Sequence, residues 1–461
     1  KLTITNCTFK GNSAANNSNS AAKNNGGALQ CLSSGSVVIS GSTFDGNSSA
    51  GEGGAIALND NVSSFTLKSS AIVNNTSKNN GAGILIRTNN GTTNAAYTIA
   101  STTIYNNSIQ DNTTAGGSAI AVQGKGSTTG SLTQNLNIIN CTITGNAAPG
   151  NVDFSALYAS GQTITINVYN SIIDGNTSGT SSSTSPSQWA DLNFYNTVAN
   201  INNSLIGRIA RGEASGANKA TLTNSVHANL AGNTVDRTKL TSGYADMYGN
   251  SFPLKASSQC LTMGNLTLAT NAGVTEDQFG QTWTKPFIGA VQLREYAVTN
   301  SKNYTSFYSA QAVKVPEGLT AHTYNGVSGS YLTEGTSYAA GSVIPAGTGV
   351  VFESTTDGDY TLGAAVSSET APNDNMLYGS ESAVLANTVM SGTGVYYILA
   401  TVNDAKGFYR PSTGDTDGSF TTKANKAFLF VPGTSTAKGF SFGGNTTAIE
   451  NIESVKSIDN N

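Results

Sequence analysis

The sequence predicts an all-β protein: a right-handed parallel β-helix over residues 1–293, followed by a β-sandwich-like domain over 300–449 and a linker over 450–461. Three observations predict it. A seven-residue unit recurs through the first 176 residues. The composition, with 51 glycines, 9 prolines and only 11% charged residues, suits turn-rich β structure and gives helices little support. After residue 300, β-branched and aromatic runs alternate with Gly, Pro and Asp turns.

The unit is Asn6-Cys7-Thr8-Phe9-Lys10-Gly11-Asn12, then Gly41 to Asn47, Ser69 to Asn75, Ser101 to Asn107, Asn140 to Asn146 and Asn170 to Asn176. Its apolar anchors Phe9, Phe44, Ile72, Ile104, Ile143 and Ile173 are spaced 35, 28, 32, 39 and 30 residues apart. A constant strand with variable loops is what a stack of coils with outward loops produces.

Each unit is expected to supply three short strands. The first is Leu2-Thr3-Ile4 and its equivalents, the second carries the anchor, and the third follows a glycine pair such as Gly26-Gly27 or Gly53-Gly54. Alternation puts Cys7 and Phe9 on one face of the second strand. The small residues Ser42, Ser70, Thr102, Cys141 and Ser171 are equivalent to Cys7, which fits a filled interior. Lys10, Asp45, Val73, Tyr105, Thr144 and Asp174 share no chemistry, which reads as a solvent face. The Asn closing each second strand (Asn12, Asn47, Asn75, Asn107, Asn146, Asn176) reads as a structural ladder pairing its amide with the rungs above and below. The alternative at Asn47 and Asn176, each followed by an acceptor pattern, is N-glycosylation. Cys7 and Cys141 lie four rungs apart, roughly 19 Å at about 4.8 Å per rung, too far for a disulfide.

The residues carry resemblances. Phe44-Asp45-Gly46-Asn47 and Gly53-Gly54-Ala55-Ile56 resemble polymorphic-outer-membrane-protein repeats, within the right-handed β-helix group that also holds pectate lyases. Ser251 to Ser258, Asp277 to Gly280 and Phe287 to Gln292 are similar to the closing segment of bacterial surface β-helix proteins, where an acid usually stands at the place of Gln292. Val315 to Gly318, Ile344 to Val351 and Lys426 to Pro432 resemble a β-rich module of Bacteroidetes surface proteins. That module usually precedes a sorting signal, so the resemblance implies an extracellular location and a segment beyond Asn461.

The polygalacturonase and pectate-lyase signatures are missing, and the two histidines, His227 and His322, lie outside the regular repeats. Asp153, Asp174 and Asp191 form the weak catalytic candidates, because glycosidic hydrolysis needs paired carboxylates. Trp189, Phe194, Tyr195 and Arg87 are the ligand-binding candidates, Arg87 with Lys125 as a site for an acidic sugar. The other reading packs the aromatics in the core and leaves the acids solvated outside. No metal site and no cofactor are expected.

The net charge of −4 and the lack of a basic stripe argue against nucleic acid, and no apolar run is long enough to cross a bilayer. The reading that follows is an exported surface protein for adhesion to host or microbial glycans or surface proteins. Its working loops are expected at Asn16 to Asn25, Gly124 to Ser131 and Thr177 to Gln188. A polysaccharide lyase or glycoside hydrolase is the alternative, and a structural stalk the third.

Overall fold

The computed structural model describes residues 1–461 except 16–23, 33–34, 60–61, 89–93, 111–115, 125–133, 149–153, 162–163, 179–190, 196, 208, 212–219, 228–249, 256–257, 366, 368, 412–418 and 443–461. The chain divides into two compact units, Lys1–Gln292 and Leu293–Asn461.

In the first unit every ladder between strands is parallel, and each strand pairs with its equivalent in the next repeat. One sheet joins Leu2–Thr5, Gly35–Ser40, Val62–Lys68, Ala95–Ala100, Gln134–Ile139, Ile164–Tyr169, Val198–Asn202 and Ala220–Thr223 in chain order. A second begins with Thr8–Lys10 and Thr43–Asp45 and ends with Leu205–Ile206 and Val226–His227. The glycine-pair strands form a third, from Leu29–Cys31 to Ile209–Arg211. Long parallel sheets stacked in chain order are compatible with a β-helix. Two expectations change. A fourth set of two-residue strands, including Ser48–Ser49 and Thr76–Ser77, follows each closing Asn, so a repeat supplies four strands rather than three. The pairing also runs on to residue 227 and takes in His227, opposite Ile206, which the irregular spacing of the later repeats had hidden.

Side chains fill the interior in rows. Phe9 stacks on Phe44 with ring centroids 4.6 Å apart and planes 8° from parallel. Ile72, Ile104, Ile143, Ile173 and Ile206 continue that row, all fully buried. Burial of each such side chain contributes about 1.5–3 kcal/mol. The glycine pairs have two separate causes. Gly53 takes φ +68°, where an L side chain is strained. Gly54 has no room: a Cβ there would lie 2.3 Å from the Ala82 carbonyl oxygen of the next rung.

The expected solvent face of the second sheet is largely covered. Val73, Thr144 and Asp174 are buried, and Tyr105 meets Phe252 edge-on with centroids 5.0 Å apart. The cover is formed by residues 250–255 and 258–292, a strap laid along the side of the rungs. Its Leu254, Cys260, Val274, Trp283, Phe287 and Ile288 pack on Ala100, Ile139, Ile172 and Leu205. Those four rung residues are apolar and point outward, so they need such a cover.

The second unit is antiparallel. One sheet joins Tyr296–Asn300, Gly358–Ala364, Val313–Lys314 and Val343–Ile344, and a second joins Tyr304–Phe307, Val350–Glu353, Thr320–Ser328 and Tyr331–Tyr338. A third joins Leu377–Ser380, Lys426–Pro432, Gly394–Val402, Ala405–Tyr409 and Gly439–Phe440. It has its own apolar cores, one around Phe307, Val350 and Phe352, another around Tyr397, Phe408 and Leu429. Among the described residues no helix is long and apolar enough to cross a membrane.

Candidate functional site

The strap creates a groove. Between the first and second sheets the chain turns at a row of residues with positive φ: Asn6, Gly41, Ser69, Ser101, Asn140, Asn170 and Asn203. Gly, Asn and Ser tolerate or locally satisfy that conformation better than branched residues do. These bends present hydrogen-bonding groups outward, and the strap uses several. Ser69 Oγ donates to the Asp277 carbonyl at 3.1 Å, and Asn203 Nδ2 to the Met263 carbonyl at 2.8 Å. Asn170 Oδ1 accepts from the Asn265 amide at 2.9 Å, and its Nδ2 donates to the Asn265 carbonyl at 2.9 Å.

At the first rungs the bends of Asn6 and Gly41 border open space. The groove there measures about 480 Å³ and is lined by Asn6, Ser40, Thr43 and Lys68 of the rungs, with Glu276, Gln278 and Phe279 of the strap. Beyond Lys68 and Glu276 lies a second recess of about 160 Å³, lined among others by Thr66, Thr98 and Ser101. The larger volume falls in the range of roughly 300–1,000 Å³ common for ligand sites. Lys68 and Glu276 are exposed and make no ion pair with a described residue. A cation, an anion, amides and hydroxyls beside one half-buried aromatic ring suit a polyhydroxylated ligand, whose hydroxyls both donate and accept.

Asp277 shapes the strap side of this groove. Its Oδ1 accepts from the amides of Phe279 at 2.9 Å and Gln281 at 3.0 Å, and its Oδ2 from that of Gln292 at 3.2 Å. Burial raises its pKa, and the three amide hydrogen bonds oppose that rise. Gln292 donates Nε2 to the Thr282 carbonyl at 2.6 Å, a bond a carboxylate cannot make.

The described site residues singled out by sequence do not line this groove. The six asparagines stack through both their amides: Asn75 Nδ2 donates to Asn107 Oδ1 at 2.9 Å, and Asn107 Nδ2 to Asn146 Oδ1 at 2.8 Å. Asn12 donates likewise to Asn47 at 2.8 Å, and Asn146 to Asn176 at 2.8 Å. Asn47 and Asn176 are buried, which leaves no access for a glycan at either. Asp191 ends this row, accepting Asn176 Nδ2 at 2.8 Å and its backbone amide at 3.2 Å. The side-chain amides along the row all point their donor ends toward that carboxyl group.

Asp174 and Asp191 come together. A Cβ on Gly207 would meet Asp191 Oδ2 at 2.1 Å and Asp174 Oδ1 at 2.2 Å. Both acids have zero exposure, which overturns the reading of them as solvated outer charges. Burial pushes the thiol of Cys260 in the strap up to about 11, and the Asp174 charge adds to the rise.

Phe194 is a core residue, fully buried against the interior row, so its ring is closed to a ligand. Tyr195, next to it, points the other way and is 48% exposed. Arg87 is not a free cation: it pairs with Glu52, and its Nε donates to Gln123 Oε1 at 3.0 Å. Gln123 Nε2 in turn donates to Glu52 Oε1 at 3.1 Å, closing the network. Asp153, Trp189 and Lys125 lie outside the described residues, as do most of the three expected working loops. The groove escaped sequence reading because its two walls are some 200 residues apart in the chain, on the order of ten or more strand lengths. The signal that points to it is the Asp277-Gln278-Phe279-Gly280 motif. The chain matches no family model, no curated protein and no solved structure.

Proposed function

We propose that this chain is an exported surface protein, of the kind that carries polymorphic-outer-membrane-protein-like repeats in Bacteroidetes, and that it acts in adhesion by recognising glycans. In this reading the first unit is a right-handed parallel β-helix and the second a β-sandwich-like domain. The observation that carries the reading is the groove between the strap and the first rungs, with Lys68, Glu276 and Phe279 around an open volume of about 480 Å³. A sugar ring laid on Phe279 presents its hydroxyls to Lys68 and Glu276, and the neighbouring recess takes a second residue of the chain. Glycan and host-matrix arrays with the purified protein test it. Retention of a defined oligosaccharide, weakened at least about tenfold, or about 1.4 kcal/mol, by Phe279→Ala and by Lys68→Ala, is the expected result. Absence of any retained glycan overturns the reading; a retained glycan indifferent to both substitutions moves the site away from the groove.

A further inference from the structure

The second unit holds a cluster of like charges that the adhesion reading does not use. Lys406, Lys423 and Lys426 line one cavity together with Thr305, Ser306 and Thr422. Topology makes this convergence. Ala405–Tyr409 and Lys426–Pro432 flank Gly394–Val402 in the five-stranded sheet, and the side chains of Lys406 and Lys426, one on each flanking strand, line the same cavity. Tyr304–Phe307 of another sheet contributes Ser306 and Thr305, whose hydroxyl meets Lys426.

The two half-buried ammonium groups have hydroxyl partners. Lys426 Nζ donates to Thr305 Oγ1 at 3.0 Å, and Lys406 Nζ to Ser301 Oγ at 3.3 Å. No described carboxylate lies in ion-pair range of either. Burial lowers the pKa of both; for Lys426 the charges of Lys406 and Lys423 lower it further, and for Lys406 the Asp357 charge acts in the opposite direction without cancelling the shift. An ammonium carries three donors and no acceptor, so each still has donors to offer. Drawing several cations out of water toward one another is unfavourable unless an anion joins them.

We infer that this cavity is a binding site for a single sulfate or phosphate group. Every charged or hydroxyl side chain around it can donate a hydrogen bond, which matches a ligand that only accepts. The cavity is about 30 Å³. At roughly 10–15 Å³ per water, it admits a group on the order of two waters, the scale of one oxyanion and smaller than a sugar ring. A larger ligand therefore inserts only its sulfate or phosphate ester, and the rest stays outside.

Calorimetric titration of the full chain at low ionic strength, first with inorganic phosphate and then with inorganic sulfate, tests the inference. Binding is expected for the wild type and at least a tenfold loss in the Lys406→Gln/Lys426→Gln double variant. The unliganded double variant should melt at or above the wild-type temperature, because the repulsion is gone; this separates a lost site from a lost fold. A sulfated oligosaccharide that competes with phosphate, while its desulfated form does not, identifies an ester as the ligand. Binding of the inorganic ions alone identifies the free ion. No heat with either ion, or equal affinity in the double variant, overturns the site. Phe279→Ala keeps the ion binding if the inference holds, so failure here and failure of the glycan groove are distinguishable.

Discussion

At the scale of single residues, the asparagine row shows how much one side chain does in a stacked parallel sheet. Asn107 is fully buried. It accepts from both amides of Asn75, at 3.0 and 2.9 Å, and donates to the Ile72 carbonyl at 2.9 Å and to Asn146 Oδ1 at 2.8 Å. Asn107→Ala strands buried donors on one side and acceptors on the other. Each stranded group costs about 1–3 kcal/mol, so a loss of about 3 kcal/mol or more is expected in urea denaturation. The same change at Asn12, which is exposed and has a partner on one side only, should cost far less. The row was legible in the sequence because one residue type returns at one repeat position. Its end was not, because Asp191 comes only fifteen residues after Asn176 and breaks the period. Asp174 misled for a related reason: alternation gives the side of the strand a residue faces, and a distant segment decides whether that side is wet.

At the scale of elements, the strap is the feature that sequence pattern could not place. Its residues lack the repeat, and an apolar outward position such as Ile139 or Leu205 reads as irregularity until its cover is known. Asp277 fixes the strap loop, and its titration gives a direct test. Burial raises its pKa above the ordinary 3.8, so between that value and the raised one the folded chain holds a proton that the unfolded chain has released. Stability from this group is therefore present at low pH and lost as pH rises through the raised pKa. Compared with Asp277→Asn, which does not titrate, the wild type should lose relative stability with rising pH across that window and then level off. Paired thermal melts from about pH 3.5 upward measure it. A difference that grows with pH would mean that the amide hydrogen bonds outweigh burial.

At the scale of the whole molecule, the repeat of the first unit and the turn-separated strands of the second were both visible in the pattern of residues. Neither the groove nor the lysine cavity was. The groove joins Lys68 to Glu276, and the lysine cavity joins Thr305 to Lys426. Contacts of that separation follow from topology, which composition and periodicity do not determine. Because each unit owns separate apolar cores, two calorimetric transitions are expected. The lysines then label one of them. Lys426 and Lys406 have pKa values lowered from 10.5, so between the lowered values and 10.5 the unfolded chain binds more protons than the folded one. Raising pH through that window stabilises the second unit. Phosphate should do the same at neutral pH by supplying the missing negative charge, raising only that unit's transition. Its increment should shrink as pH rises and the ammonium groups lose their protons. Scans of the full chain with and without phosphate from about pH 7 to 10 would show one transition moving and one fixed. Equal movement of both would trace the effect to general salt exclusion from the surface, which strengthens burial everywhere.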